Sequence, residues 1–383
     1  MKSYGLLLLS WFIAFAAFAQ TSTSIDKDKL YEFYQNQRYA DAAQYLRTAF
    51  GEETTDFKAI VQMGYCYLMA GNYIEAEKFY AKAYQQQPLN LPVLFSLASI
   101  NFRRGNNEKA KTYYGEIVKI DSNNFSVYKQ LANLYPVPTD SLRLRYLQKA
   151  NKLNPVEGDV AFDLADSYQK LKNNDNAYAV LNVAIAADSG NLILQKAKLP
   201  VANALKKYDE VIRPGERLLK DGADGNVLKD VAMAYYYTKK YQKTISLLKM
   251  LESVDMQNEA TLYYTTLSYR QLKDYKSAGL YAKKTIEEGI SANTSNYYDL
   301  LGLIYDENNQ LNLAVMAYKK GLQYKANPTI YYHMALLYDI KHKNKKIAQN
   351  YYNQYLKNKP DPLRDAEEIK YAKARLVQLS ETD

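Results

Sequence analysis

Residues 57–90 read FKAIVQMGYCYLMAGNYIEAEKFYAKAYQQQPLN, and the spacing of their small, aromatic and proline residues decides the fold. Met63 and Gly64 place a large apolar residue beside a small one, which lets a second helix approach closely. Gly71 predicts the end of the first helix, because glycine adopts the left-handed conformation of a helix C-cap at no steric cost. Pro88 predicts the end of the second helix, because proline lacks a backbone donor. The segment therefore predicts a pair of helices joined by a short turn.

The same pattern returns about every 34 residues along almost the whole chain. Its pairs of one large apolar and one small residue recur at Leu97-Ala98, Leu131-Ala132, Leu164-Ala165, Val231-Ala232, Leu301-Gly302 and Met334-Ala335. This arrangement resembles the tetratricopeptide repeat (TPR), whose units are stacked pairs of helices. The resemblance implies an all-α fold, an α-solenoid that forms a right-handed superhelix of about ten TPR helix-turn-helix units.

One stretch departs from the pattern, because Pro200 and Pro214 fall inside the helices expected for residues 191–224. It is either a distorted repeat or a joint between two sub-stacks, and the unbroken register on both sides favours the distorted repeat. Residues 363–379 predict one amphipathic helix that covers the last apolar face, as terminal repeats require. The predicted domains are a signal peptide (1–19), an N-terminal segment with a degenerate first repeat (20–56), a TPR array (57–190), the divergent repeat or joint (191–224), a second TPR array (225–360) and a capping helix (361–383).

The amino terminus has the features of a secretory signal peptide. Lys2 is followed by an apolar run over residues 6–18 and by a small-x-small cleavage signal that ends at Ala19. The run is too short for a membrane anchor, and no later segment is apolar enough to span a bilayer. Cleavage would leave Gln20 as the first residue. We therefore expect an exported protein, located in the periplasm or at the periplasmic face of the outer membrane.

Composition and charge narrow the classes of partner. The chain has 383 residues, is 48% hydrophobic and carries a net charge of +9. Its lysines are spread through every repeat, and export separates the protein from nucleic acid, so no nucleic-acid partner is expected. The densest basic cluster, at residues 341–346, is either a solvated loop or a surface for peripheral association with the outer membrane, with anionic glycans or with an acidic partner. The sequence leaves the oligomeric state open.

The sequence contains no recognisable catalytic constellation. His333 and His342 are its two histidines, and neither has cysteine or carboxylate residues at a convincing ligand spacing. No nucleophile elbow, phosphate-binding loop or dinucleotide fingerprint occurs. The single cysteine, Cys66, excludes an internal disulfide and is expected to be a small buried apolar residue. We expect neither a metal nor a cofactor, and we expect a protein that is not an enzyme.

Tyrosine is unusually frequent, with 39 residues against 11 phenylalanines. In a helical pair such as Tyr263-Tyr264 the side chains point about 100° apart, so one ring can be buried while its neighbour faces outward. The TPR resemblance implies that the first helix of each unit lines a concave groove, with residues at set positions projecting into it. Those groove positions hold Tyr65, Phe95, Phe102, Phe162, Asp163, Asp166, Tyr236, Tyr263, Tyr264, Asp299, Asp306, Tyr332, His333 and Asp339.

Aromatic rings with occasional carboxylates suit an extended peptide or a helix. We therefore expect a non-enzymatic protein–protein interaction scaffold of the bacterial cell envelope, for example a subunit of an outer-membrane assembly or secretion complex, that binds a protein or peptide in its groove. The alternative is a cell-wall or polysaccharide-binding accessory protein whose tyrosine-lined groove stacks on sugar rings. In addition, Asp140-Ser141-Leu142 resembles a short bacterial O-glycosylation signal, which makes Ser141 a candidate modification site.

Overall fold

The computed structural model describes residues 25–220, 222, 224–289 and 291–380. The predicted signal peptide lies outside these ranges. Every regular element within them is helical and none is a β-strand, which confirms the predicted all-α class. The backbone divides into two compact units, of which the first ends at Asn154 and the second begins at Pro155. This division lies outside the divergent segment 191–224.

Each unit is a stack of consecutive helix pairs, in which a helix packs against its neighbours along the chain. The first unit holds α1 (Lys27–Gln35), α2 (Tyr39–Phe50), α3 (Phe57–Met69), α4 (Tyr73–Gln86), α5 (Leu91–Arg103), α6 (Asn107–Ile120), α7 (Phe125–Asn133) and α8 (Ser141–Leu153). The second holds α9 (Gly158–Lys170), α10 (Asn174–Ala187), α11 (Leu192–Ala204), α12 (Asp209–Lys220), α13 (Gly225–Tyr237), α14 (Tyr241–Glu252), α15 (Glu259–Gln271), α16 (Tyr275–Glu287), α17 (Thr294–Glu307), α18 (Leu311–Tyr324), α19 (Pro328–Leu336), α20 (Lys345–Lys357) and α21 (Ala366–Ser380). The described residues thus form ten helix pairs and a terminal helix, in agreement with the predicted α-solenoid.

Helix boundaries follow from aspartate, asparagine and glycine residues. The side chains of Asp56 and Asn90 accept hydrogen bonds from backbone amides in the first turns of α3 and α5, which satisfies donors that a helix end leaves free. Gly71 ends α3 as predicted, with φ at 77°. The amide of Asn72 then bonds to the carbonyl of Tyr67 at 2.9 Å, which closes the left-handed C-cap.

Most other repeats place a residue with a side chain at the position of Gly71. The residues with φ between 52° and 62° at this point of their repeats are Gln37, Lys172, Lys206, Lys239, Lys273, Asn309 and Lys343. A side chain in this region costs about 1 kcal/mol, because its Cβ crowds the following carbonyl oxygen. The packing of the two helices therefore maintains this turn even where the residue does not favour it.

Small residues allow the two helices of a pair to approach closely, as the sequence predicts. A Cβ at Gly64 would lie 3.0 Å from the ring of Tyr80, closer than ordinary van der Waals contact. A Cβ at Gly302 would overlap the ring of Tyr318. Both tyrosine rings are buried, so neither can swing into solvent to make room.

Segment 191–224 contains a helix pair of ordinary length despite its prolines. Pro200 lies inside α11 and Pro214 lies inside α12. Gly215 follows the second proline, and a Cβ there would overlap the side chain of Val231 in α13. The missing side chain lets α12 pack directly on α13. Both helices of this segment thus accommodate a proline.

The C-terminal helix begins later than the sequence predicts. A helix is expected over residues 363–379, whereas α21 begins at Ala366. The carboxylate of Asp361 accepts hydrogen bonds from the amides of Leu363 and Arg364, and this turn delays the start of the helix. Helix α21 then covers buried tyrosines of α20, so the terminal apolar face is shielded from water.

The last helix pair contains one extra residue. The interval from the small residue Ala335 to the positive-φ residue Lys343 is one residue longer than in the preceding repeats. The extra residue is wound into a π-turn, Leu337–Lys341, in which the amide of His342 bonds to the carbonyl of Leu337 at 3.0 Å. Asp339 lies within this turn and is buried.

Candidate functional site

Seven tyrosines of the second unit form a continuous set of ring contacts, which we call the tyrosine network. Its members are Tyr208, Tyr236, Tyr237, Tyr241, Tyr263, Tyr264 and Tyr297. Centroids of contacting rings lie 5.1 to 6.2 Å apart, within the range of favourable aromatic pairs. The network joins α13, α14, α15 and α17 with the turn that precedes α12.

Stacking, hydroxyl contacts and burial hold these rings in place. Tyr208 stacks on Tyr237 with centroids 5.4 Å apart and 10° between the ring planes. The hydroxyl groups of Tyr237 and Tyr264 are 2.9 Å apart and share a hydrogen bond. Burial raises the pKa of Tyr236, Tyr263 and Tyr264, so their hydroxyl groups stay protonated at neutral pH. Tyr237 is 48% exposed and presents the network to solvent.

A cavity of about 520 Å³ adjoins the network at the amino ends of α15 and α17. Its walls are formed by Asn258, Glu259, Ala260, Tyr263, Tyr264, Asn293, Asn296 and Tyr297. These residues supply aromatic rings, amide groups and one carboxylate, and they include no lysine or arginine. The cavity can therefore offer ring faces and hydrogen-bonding groups together to one bound molecule.

The carboxylate of Glu259 is held by three neutral donors. Its Oε1 accepts hydrogen bonds from Ser291 Oγ at 3.0 Å, from Asn293 Nδ2 at 3.3 Å and from the hydroxyl of Tyr297. These bonds, that of Tyr297 above all, lower the pKa of Glu259, so the group is ionised at neutral pH. Among the described residues, Oε2 of the same carboxylate makes no hydrogen bond and no ion pair.

Several predicted groove residues lie outside this network. In the first unit, Tyr65 is exposed on α3, while Phe95 and Phe102 are half-buried on α5. In the second unit, Phe162 is exposed on α9 and Asp163 beside it is half-buried. None of these five residues lines the cavity at α15 and α17.

The predicted groove carboxylates of the second unit are engaged by other side chains, which corrects the expectation that they are open to a ligand. Nδ1 of His333 donates to Asp299 at 2.8 Å, so two predicted groove residues bind one another. The ammonium group of Lys341 lies 2.7 Å from Asp306 in the preceding repeat. Asp166 lies 4.0 Å from Lys170 on its own helix. The first two pairs connect neighbouring repeats and so hold them together.

Asp339 and Tyr332 lie beneath α21, which corrects their assignment to an open groove. Arg375 of α21 donates two hydrogen bonds to the carboxylate of Asp339, at 2.7 and 2.9 Å, and Tyr352 donates a third at 3.2 Å. Arg375 lowers the pKa of Asp339, which keeps this buried group ionised. The ring of Tyr332 lies 6.5 Å from that of Tyr371 in α21. Both residues are therefore part of the packing of the C-terminal helix.

Sequence reasoning identified three members of the site and missed the rest. The groove positions include Tyr236, Tyr263 and Tyr264, but the residues they do not include are Tyr208, Tyr237, Tyr241, Tyr297, Glu259 and the cavity asparagines. Tyrosine recurs two residues after the positive-φ residue of a repeat, and that regularity could have indicated Tyr208 and Tyr241. No comparable signal marks Glu259, because its role depends on donors from the next repeat.

Four further features of the described residues bear on function. They contain no group of three or more side chains suited to hold a metal ion, and none of their helices is long and apolar enough to cross a bilayer. Cys66 is buried with its Sγ 3.4 Å from the hydroxyl of Tyr34, and burial raises the pKa of the thiol. Ser141 is exposed as the first residue of α8, directly after its capping residue Asp140.

Comparison with known proteins identifies the repeats. Family models described as tetratricopeptide repeat match residues 67–134 and 295–328. The chain thus contains tetratricopeptide repeats in both of these segments. TPR stacks are generally non-enzymatic, and these repeats indicate a scaffold for protein–protein interaction.

Similar proteins share the repeats at low identity. A TPR repeat-containing protein of Methanocaldococcus jannaschii is 24% identical over 322 residues, which are 76% of this chain and 54% of that protein. The UDP-N-acetylglucosamine–peptide N-acetylglucosaminyltransferase of Caenorhabditis elegans is 35% identical over 78 residues, which are 20% of this chain and 7% of that enzyme. The chain thus spans about half or less of the length of these relatives.

Two solved structures show a low similarity to this chain. A tetratricopeptide repeat protein from Parabacteroides merdae is 17% identical with a TM-score of 0.42, and the match covers 65% of this chain and 98% of that one. The C-terminal part of a TPR repeat-containing protein from Cytophaga hutchinsonii is 12% identical with a TM-score of 0.45, and the match covers 70% of this chain and 98% of that one.

Proposed function

We propose that this TPR protein is an exported scaffold of the bacterial cell envelope that holds a protein partner through a peptide segment bound at the tyrosine network. The single observation that carries the proposal is the cavity at α15 and α17, which places tyrosine rings, amide groups and a carboxylate around one volume of about 520 Å³. A subunit of an outer-membrane assembly or secretion complex would need such a surface to hold a neighbouring protein.

The chemistry of the cavity walls suits a peptide. An asparagine side chain donates and accepts hydrogen bonds, so Asn258, Asn293 and Asn296 can each pair with the amide or carbonyl of a peptide bond. The rings of Tyr263 and Tyr264 supply apolar area at small conformational cost, because their neighbours already fix them. Aromatic anchors beside satisfied polar groups are typical of the centre of a protein interface.

Site-specific photo-crosslinking tests the partner directly. Ala260 is exposed at the cavity wall, and a photoreactive phenylalanine analogue placed there should form one discrete adduct in intact cells. The matched control is the same analogue at Leu280, an exposed residue of α16 that does not line the cavity. Adducts of equal yield at both positions, or none at Ala260, would contradict the proposal. The adduct should also disappear when Tyr263 and Tyr264 are both replaced by alanine.

Export has its own test. The leader-like residues 1–19 support removal before Gln20, so N-terminal sequencing of the protein from the periplasmic fraction should begin at Gln20. A cytoplasmic protein that retains Met1 would contradict the proposed location. If the purified protein is instead retained on peptidoglycan or polysaccharide, and the double alanine variant at Tyr263 and Tyr264 is not, the alternative function in glycan binding replaces the peptide-binding one.

A further inference from the structure

The cavity at α15 and α17 contains a carboxylate, that of Glu259, which has no cationic partner among the described residues. This property limits the class of ligand that the cavity can bind, and the inference from it rests on the proposed function. We propose that the cavity accepts a basic side chain of the partner peptide, an arginine or a lysine. The cationic group binds at Oε2 of Glu259 and against the faces of Tyr263 and Tyr264.

The charge of Glu259 is not compensated within the described residues. Its three donors are two hydroxyl groups and an amide, which orient the carboxylate without neutralising it. Elsewhere in the second unit, Glu252 pairs with Lys284 and Glu307 pairs with Arg270. Because the cavity wall contains no lysine or arginine, the cation that would complete the pair must come from a bound molecule.

The rings beside Glu259 are positioned for a cation. Tyr263 contacts Tyr297 at 5.4 Å and Tyr264 at 6.0 Å, and the hydroxyl of Tyr264 is bound to that of Tyr237. Rings held in this way present fixed faces, and a guanidinium or ammonium group is attracted to such a face by the ring quadrupole. Arginine adds a planar set of donors that can reach a carboxylate and an amide oxygen together.

The two helix ends at the cavity do not favour an anion. Asn258 and Thr261 form a reciprocal capping box, which satisfies the backbone amides of these two residues at the start of α15. At the start of α17 the carboxylate of Glu259 is already held by Asn293 and Tyr297, and it supplies the negative charge that the amino end of a helix attracts.

A peptide selection separates this inference from the proposed function. Random twelve-residue peptides displayed on phage are selected against the chain from Gln20 to Asp383. Every enriched family should contain a basic residue, and replacing it by neutral citrulline (for arginine) or by norleucine (for lysine) should weaken binding about tenfold or more. Enriched peptides without such a residue would overturn the inference and leave the proposed function standing.

Three variants test whether the cation binds at the carboxylate of Glu259. With Glu259→Gln, which keeps an acceptor for Tyr297, the difference between a basic peptide and its neutral analogue should vanish. With Glu287→Gln, which removes one exposed charge on α16, the difference should be unchanged. Tyr264→Leu should weaken the basic peptide more than its neutral analogue. A difference that survives Glu259→Gln overturns the assignment, provided that circular dichroism shows an unchanged melting temperature.

A small probe covers the case in which no peptide is enriched. Saturation-transfer nuclear magnetic resonance with Nα-acetylarginine amide should show binding to the natural chain and none to Glu259→Gln, and Nα-acetylcitrulline amide should not bind. Binding of the arginine probe without any enriched peptide would refute peptide binding and retain the cation site. Failure of both experiments would refute both proposals.

Discussion

The tyrosine network and the C-terminal helices α19–α21 use the same residue types, tyrosines and a carboxylate, in opposite ways. Around α21 these groups contact other side chains of the protein, since Asp339 binds Arg375 and Tyr332 packs beside Tyr371. Around α15 the rings are fixed, while one oxygen of Glu259 has no partner among the described residues and Tyr237 is half exposed. A carboxylate or ring on these helices is therefore open to a ligand where a neighbouring helix does not supply its partner.

Two buried aspartates show the same contrast in energetic terms. Asp339 is 9% exposed and Asp230, on α13, is 8% exposed. Arg375 lowers the pKa of Asp339, whereas burial raises the pKa of Asp230 to about 6. The only side chain that donates to Asp230 in the described part of the chain is Asn203, at 3.4 Å. A neutral donor does not offset the desolvation of a charge as a guanidinium group does.

The largest expected effect is on the pair between α21 and the π-turn. Arg375→Met should lower the free energy of unfolding by about 3 kcal/mol, because it leaves the carboxylate of Asp339 buried without a cation. Arg364→Met is the control, since that guanidinium is exposed and pairs with Asp365 at the surface. Urea unfolding followed by circular dichroism measures both variants. Equal losses of unfolding free energy would show that the buried pair of Arg375 and Asp339 stabilises the protein no more than a surface pair does.

Removing the carboxylate of Asp230, which forms no ion pair in the described part of the chain, should instead raise the free energy of unfolding. Asp230→Asn should raise the free energy of unfolding by about 2 to 3 kcal/mol at pH 7.5, because the natural chain must ionise a buried group there. The pKa of Asp230 is about 6 in the folded chain against an ordinary 3.8, so the folded state binds this proton more tightly. The advantage of the variant is therefore complete above pH 6 and fades as the pH falls toward 3.8. Unfolding curves at several pH values test this, and a gain independent of pH would contradict it.

The close approach of α17 and α18 gives a smaller effect. Gly302→Ala should destabilise the second unit by about 1 to 2 kcal/mol, because the new methyl group overlaps the buried ring of Tyr318. Gly64→Ala should cost the first unit less, since its Cβ would meet the Tyr80 ring at 3.0 Å. Thermal unfolding of the two variants ranks them. The reverse order would mean that the packing around Gly302 adjusts to the added methyl group more easily than the packing around Gly64.

The smallest effect concerns the turns between paired helices. Lys239→Gly should stabilise the α13–α14 turn by about 0.5 to 1 kcal/mol, because glycine accepts a φ of 60° without steric cost. Lys239→Ala keeps a Cβ and should bring no gain, which makes it the matched control. Chemical unfolding distinguishes the two variants. A similar gain from both would assign the effect to the loss of the lysine charge.

The all-α stack could be predicted from the sequence because the residues that determine each helix pair lie within that pair. Gly64 and Gly71 each mark a backbone requirement that lies within one helix pair. The site could be predicted only in part, because its character depends on neighbours about one repeat away. Asp299 and Glu259 are both acidic residues of a first helix, yet His333 engages the first, whereas the described side chains that engage the second are all neutral donors.

The π-turn Leu337–Lys341 constrains how this chain can lengthen by duplication. It carries Asp339 to the place where Arg375 of α21 binds it. A duplicated helix pair inserted after α20 would meet this surface with no arginine at that place, and the carboxylate would remain buried without a cation. We therefore expect that duplication is tolerated among the interior repeats and selected against at this end, so the array can gain length only from within.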